Sequence, residues 1–199
     1  DDSGIQIGTG TINLSAQGHL SFMLNDAQQG FPVTANRRGA IEFQTPPGGQ
    51  ISVLGLRANG PALTTLPVLA STDAAGGAIA HATYNGGFTS TFYLVNTGTS
   101  SSQFTLNFFD ENGNALTVPL RLPQTGTTAT TASLTQTLAA GAMLVVETVA
   151  DDKAASVVGS AQLSTVGSVS GFEIFKWTTF GQEASVPLET RTQIGRAHV

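Results

Sequence analysis

The chain has 199 residues, of which only 11% are charged; it carries 23 Gly, no Cys and a net charge of −5. That length suits one large domain or two small ones, and the missing cysteines exclude a disulfide framework and Cys-ligated metal. With two lysines in all, Lys153 and Lys176, and one isolated basic pair, Arg37-Arg38, the chain lacks the clustered cations that nucleic-acid phosphates require.

Its first informative feature is an internal repeat. Gly39-Ala-Ile-Glu-Phe-Gln-Thr45 returns as Gly159-Ser-Ala-Gln-Leu-Ser-Thr165, and Leu66-Pro-Val68 as Val186-Pro-Leu188, both at an offset of 120. Gly49-Gln-Ile-Ser52 aligns with Gly167-Ser-Val-Ser170 at 118, and Asp1-Asp-Ser-Gly-Ile5 with Asp110-Glu-Asn-Gly-Asn114 at 109. A period this long is a duplicated domain, since solenoid units run about 20–50 residues. Residues 1–70 therefore read as the C-terminal portion of one repeat, 71–77 as a linker of small residues, and 78–191 as a complete repeat. Residues 192–199 read as a non-native tail: Gln193-Ile-Gly-Arg-Ala-His-Val199 is what a common sequencing adapter encodes when read through in frame.

Short alternating runs bounded by Gly, Asn and Pro predict strands rather than helices. In the complete repeat they fall near 80–84, 88–96, 103–110, 115–121, 133–138, 142–149, 156–164, 169–177 and 184–189. Phe104, Leu106 and Phe108 share one strand face; Val157, Gly159, Ala161 and Leu163 share another, matched by Gly39, Ile41 and Phe43 in the first repeat. Phe172 and Ile174 match Leu54 and Leu56 and are assigned to the core, which would turn Glu173, Phe175 and Trp177 outward. The expected fold is an all-β antiparallel β-sandwich of immunoglobulin-like type, with neighbouring repeats end to end. The longest apolar run, Leu138–Val146, stops at Glu147 after nine residues, far short of the roughly 20 that span a membrane.

Asp110-Glu-Asn-Gly-Asn114 sits between two strands, and Asn-Gly favours the positive φ of a tight turn. A calcium loop would use Asp110, Asn112 and Asn114 as alternating oxygen donors, but it also needs a distal Glu that is missing; the turn is preferred. About 14 residues of the second repeat are extra relative to the first. They coincide with Thr125–Thr137, read as a solvated loop with a short edge strand, or alternatively as a glycosylated or binding loop.

No nucleophile elbow, zinc-protease helix or phosphate loop occurs, so no catalytic residue or cofactor is assigned and the chain is read as non-enzymatic. Trp177 is the single Trp. With Phe175, Tyr93 and Tyr84 it could form a ring platform for sugars, against the alternative that it covers the sandwich end.

Phe92-Tyr-Leu-Val-Asn-Thr-Gly98, Phe108-Phe-Asp-Glu-Asn-Gly113, Val169-Ser-Gly-Phe-Glu-Ile-Phe175 and Val186-Pro-Leu-Glu-Thr-Arg191 together resemble tandem immunoglobulin-like β-sandwich repeats of large, uncharacterised secreted proteins of soil bacteria. That resemblance implies an extracellular or cell-surface, structural or adhesive module whose partners are neighbouring repeats, a polysaccharide or another surface protein. The competing expectations are a carbohydrate-binding module and an accessory domain of a secreted hydrolase.

Overall fold

The structure, a computed structural model, describes residues 1–69 and 76–191. Most of the expected linker and the whole expected tail lie outside these residues. Residues 1–54 contain turns and one 3-10 turn, Pro32–Thr34, with no strand. Twelve strands follow: β1 (Gly55–Asn59), β2 (Ala62–Leu66), β3 (Gly77–Asn85), β4 (Phe88–Asn96), β5 (Ser102–Asp110), β6 (Val118–Leu122), β7 (Thr127–Thr131), β8 (Ser133–Leu138), β9 (Met143–Thr148), β10 (Val157–Val166), β11 (Val169–Trp177) and β12 (Gln182–Pro187). Every pairing is antiparallel. The nine strands expected over 78–191 are present, and the threonine-rich stretch supplies β7 as an edge strand on β6.

β3 to β12 form one hydrogen-bonded sheet that folds over on itself. One layer runs β12-β11-β4-β9-β6-β7 and the other β3-β10-β5-β8. The alternation seen in the sequence explains why they close. Phe104, Leu106 and Phe108 of β5, and Ala161 and Leu163 of β10, meet Phe92 and Leu94 of β4, Leu120 of β6 and Val146 of β9 in a single core. Phe92 and Phe108 touch edge to face across it at 5.6 Å. Consecutive strands β10 and β11 lie in opposite layers, and the last two strands, β11 and β12, share one.

Two seams join the layers, both on β3. The β3–β4 hairpin contributes only Tyr84↔Thr89 and Asn85↔Phe88 before the strands part. At the other end, Ala78 and Glu189 exchange backbone hydrogen bonds of 2.9 and 2.8 Å. Where β3 and β4 part, buried hydroxyls replace the lost ladder. Thr83 N donates to Ser90 Oγ (2.8 Å), Ser90 N to Thr148 Oγ1 (2.9 Å), and Thr148 Oγ1 to Thr83 O (3.1 Å). These pairings matter because a buried, unpaired backbone group costs as much as a lost hydrogen bond.

The Asp110 turn is closed by its own side chain. Asp110 Oδ1 accepts from Asn112 N (2.9 Å) and Asn114 N (2.8 Å), and these bonds hold its carboxyl below the usual carboxylate range. Only Gly113 of the Asn-Gly pair takes a positive φ, of 80°, so the hairpin is not of the two-residue kind with both central residues left-handed. The turn at Asp1 has the same construction. Asp1 Oδ1 accepts from Ser3 N and Ile5 N, both at 3.1 Å, and Gly4 has φ 85°.

Asn96 ties three segments together. Its side-chain amide donates to the carbonyls of Ser100, Leu138 and Ala139 at 2.8–3.0 Å, and its Oδ1 accepts from Gly98 N at 3.0 Å. The residue is fully buried. Asn96→Ala would orphan those carbonyls inside the protein, and each orphaned group costs about 1–3 kcal/mol. The expected result is a loss of roughly 3 kcal/mol in urea unfolding, with Asn96→Asp no better; an unchanged midpoint would show that water replaces the amide.

Candidate functional site: the seam between β3 and β11

The phase of β11 differs from the sequence expectation. Glu173 pairs with Phe92 and Gly171 with Leu94, and those β4 residues face the core. Val169, Gly171 and Glu173 therefore face the core too, while Phe172 lies on the opposite side, stacked on Tyr93 at 5.1 Å. Ile174 shares that side and is nonetheless buried, 3% exposed. The correction has a simple cause: alternation identifies two sets of side chains, and the pairing partner decides which set points inward.

Glu173 is completely buried, and neither carboxyl oxygen has a hydrogen-bond partner. Burial pushes its carboxyl up to about 8, with only the nearby Ser90 hydroxyl pulling the other way. At neutral pH the group is a neutral acid.

Beyond Glu173 the same face carries Phe175 and Trp177 toward the open end. Phe88, opposite Trp177 on β4, stacks on both: 5.3 Å and 24° to Trp177, 5.5 Å and 14° to Phe175. The Phe180 ring abuts Trp177 edge-on at 4.3 Å, and His81 abuts Phe175 edge-on at 4.8 Å. His81 lies where β3 places Ala82 and Ile79 opposite Gly159 and Ala161 of β10. β3 thus bulges by one residue there, and such bulges re-aim side chains. Trp177, Phe88, Phe175 and His81 are half-buried and Phe180 is exposed.

Of the four candidate platform residues, the structure brings together Trp177 and Phe175. Tyr93 is on the opposite face of its sheet, and Tyr84 packs on the core with its hydroxyl donating to Thr117 O at 3.2 Å. Phe88, Phe180, His81 and Glu173 were missed. Phe88 could have been found from its place after the Gly86-Gly87 turn, which sets it opposite the end of the partner strand; Glu173 carried no such signal. Among the described residues no group of three or more His, Asp or Glu is placed to hold a metal ion. None of their helices is long and apolar enough to cross a membrane.

A second polar cluster lies on the outer face of β12. Glu183, whose side chain is 1% exposed, accepts from Arg57, from Asn59 Nδ2 (2.5 Å) and from Thr64 Oγ1 (3.2 Å), with Lys176 Nζ at 3.9 Å. Burial acts to raise its carboxyl, but the hydrogen bonds from Arg57, Asn59 and Thr64 outweigh this and hold it below the ordinary range. Arg57, Asn59 and Thr64 belong to the β1–β2 hairpin. The hairpin lies against β12, with Thr65 Oγ1 3.4 Å from Ser185 Oγ.

Comparison of the chain with family models, with curated proteins and with solved structures finds no match.

Proposed function

We propose that this chain is a non-catalytic structural or adhesive module, built from immunoglobulin-like sandwich repeats, of a larger secreted or cell-surface bacterial protein. The observation that carries the reading is the Glu183 junction. A scaffold of repeats needs successive units held in fixed relation, and here one buried carboxylate of the second repeat gathers three side chains of the first. The aromatic ladder favours the same reading, because Phe88 stacks on both Phe175 and Trp177 and so ties these rings to one another. A carbohydrate-binding reading draws on the partial exposure of Trp177 and Phe180 beside it.

Breaking a buried ion pair by removing one partner costs about 3–5 kcal/mol; Arg57 is a third exposed and Lys176 stays close, so Arg57→Ala should cost roughly 2 kcal/mol of docking energy. Amides of β1 and β2 should then lose hydrogen-exchange protection while those of 77–189 keep theirs. The acid limit follows in sign. A carboxyl held low in the folded state contributes stability above its unfolded value, and that contribution fades as pH falls through the folded value. Hairpin protection that is indifferent to both Arg57→Ala and acid would remove the basis for a fixed junction.

A further inference from the structure

The first repeat displays apolar side chains that its counterpart buries. Of the 17 large hydrophobic residues exposed among the described residues, 13 lie within 1–69. Ile41 and Phe43 are 44% and 40% exposed; their counterparts Ala161 and Leu163 are each 1% exposed. In the second repeat that burial comes from β3 and β5, which flank β10: Ala161 pairs with Ile79 and Phe108, and Leu163 with Gly77 and Leu106. No described segment plays either part beside 39–45, so both edges of that stretch lack a ladder.

The geometry that would receive such strands is already set. Gly159 pairs with Asp110, the last residue of β5. Its counterpart Gly39 abuts Asp1, the counterpart of Asp110, so closely that a Cβ on Gly39 would lie 2.8 Å from Asp1 Cα. Asp1 also opens the same side-chain-closed turn as Asp110. The first repeat therefore keeps the point where its β5-like strand would end, and no strand among the described residues runs up to it beside 39–45. Exposed apolar area beside unpaired backbone edges is the form of a strand-accepting surface.

We propose that residues 1–69 are an acceptor for a three-stranded segment of the β3–β5 type, whose last strand runs along 39–45 and ends at Asp1. The segment's chemistry follows from the second repeat. It has an apolar residue at every second position, as in Phe104-Thr-Leu-Asn-Phe108, to cover Ile41 and Phe43, and backbone amides to pair the open edge. The proposal rests on the repeat reading but not on the Glu183 junction, so the two can fail separately.

The test uses the full chain with a second copy of Gly77–Phe109 joined ahead of Asp1, which places the added β5 directly before the Asp1 turn. The comparison chain carries the same residues in an order that destroys the alternation. Hydrogen exchange of 39–45, binding of an apolar dye and light scattering are read on both, and on the unextended chain. The expected result is at least tenfold slower exchange at 39–45, on the order of a single stable ladder, with less dye bound, in the ordered extension only. Ile41→Asp in the extended chain should cancel the slowing and leave 77–189 unchanged. Exchange at 39–45 that is no slower than in the unextended chain would overturn the proposal. So would an unextended chain that already protects 39–45 by pairing with a second copy of itself.

Discussion

Raising the pH from about 5 to about 8 should weaken this protein, and Glu173→Gln should abolish the effect. Glu173 is protonated in the folded state up to about 8, against an ordinary 4.5. Between those values the folded chain binds a proton that the unfolded chain has released. The unfolding free energy then falls as pH rises. The stabilisation is complete below the unfolded value and is lost by the folded one. One unit of displacement corresponds to about 1.4 kcal/mol, so the full swing is at most roughly 5 kcal/mol, less whatever water and structural relaxation recover. Glutamine keeps the shape without the charge. Urea unfolding of both chains across this range should show parallel curves in acid that separate with rising pH, the variant being the more stable at the alkaline end. Curves that stay parallel throughout would mean that the carboxylate finds a partner or water when it ionises. Comparing the two chains at each pH also cancels the contributions of other carboxylates such as Glu183.

Trp177→Ala should cost about 2–4 kcal/mol, the lower part of the range for large buried aromatics because the ring is half-exposed. The ring closes the open end of the ladder formed with Phe88 and Phe175 and is braced by Phe180. Phe88→Ala should cost a similar amount. The two changes together should cost less than their sum by about 1 kcal/mol, the coupling of a stacked pair. A sugar platform predicts a different pattern: Trp177→Ala would leave the thermal midpoint in place and abolish retention on a polysaccharide gel. Measuring the midpoint and the retention on one sample separates the two. A variant that keeps its stability and loses retention would move the function to carbohydrate binding.

The contrast between these two residues shows what could be read in advance. Strand positions were legible because alternation and turn residues are local. Phe104, Leu106 and Phe108 face the core as their spacing implies, and Asp110 closes its turn with atoms at most four residues away. The turns at Asp1 and Asp110 were legible for the same reason, each being closed by an aspartate side chain onto backbone at most four residues on. The inward face of β11 was not legible. Period two makes both faces equivalent until a partner strand is named, and only the register of Glu173 against Phe92 turns the carboxyl inward. The Glu183 cluster lay further out of reach, because its partners Arg57 and Asn59 are 126 and 124 residues away. By itself the sequence determined that the chain is all-β and where the strands and turns of 78–191 lie, because those follow from neighbours along the backbone; the alternation at Gly39, Ile41 and Phe43 forms no strand. Which strands share a layer, which acid is buried, and which apolar side chains of 1–69 remain uncovered were decided by tertiary pairing alone, since these depend on contacts between residues whose spacing carries no local signal.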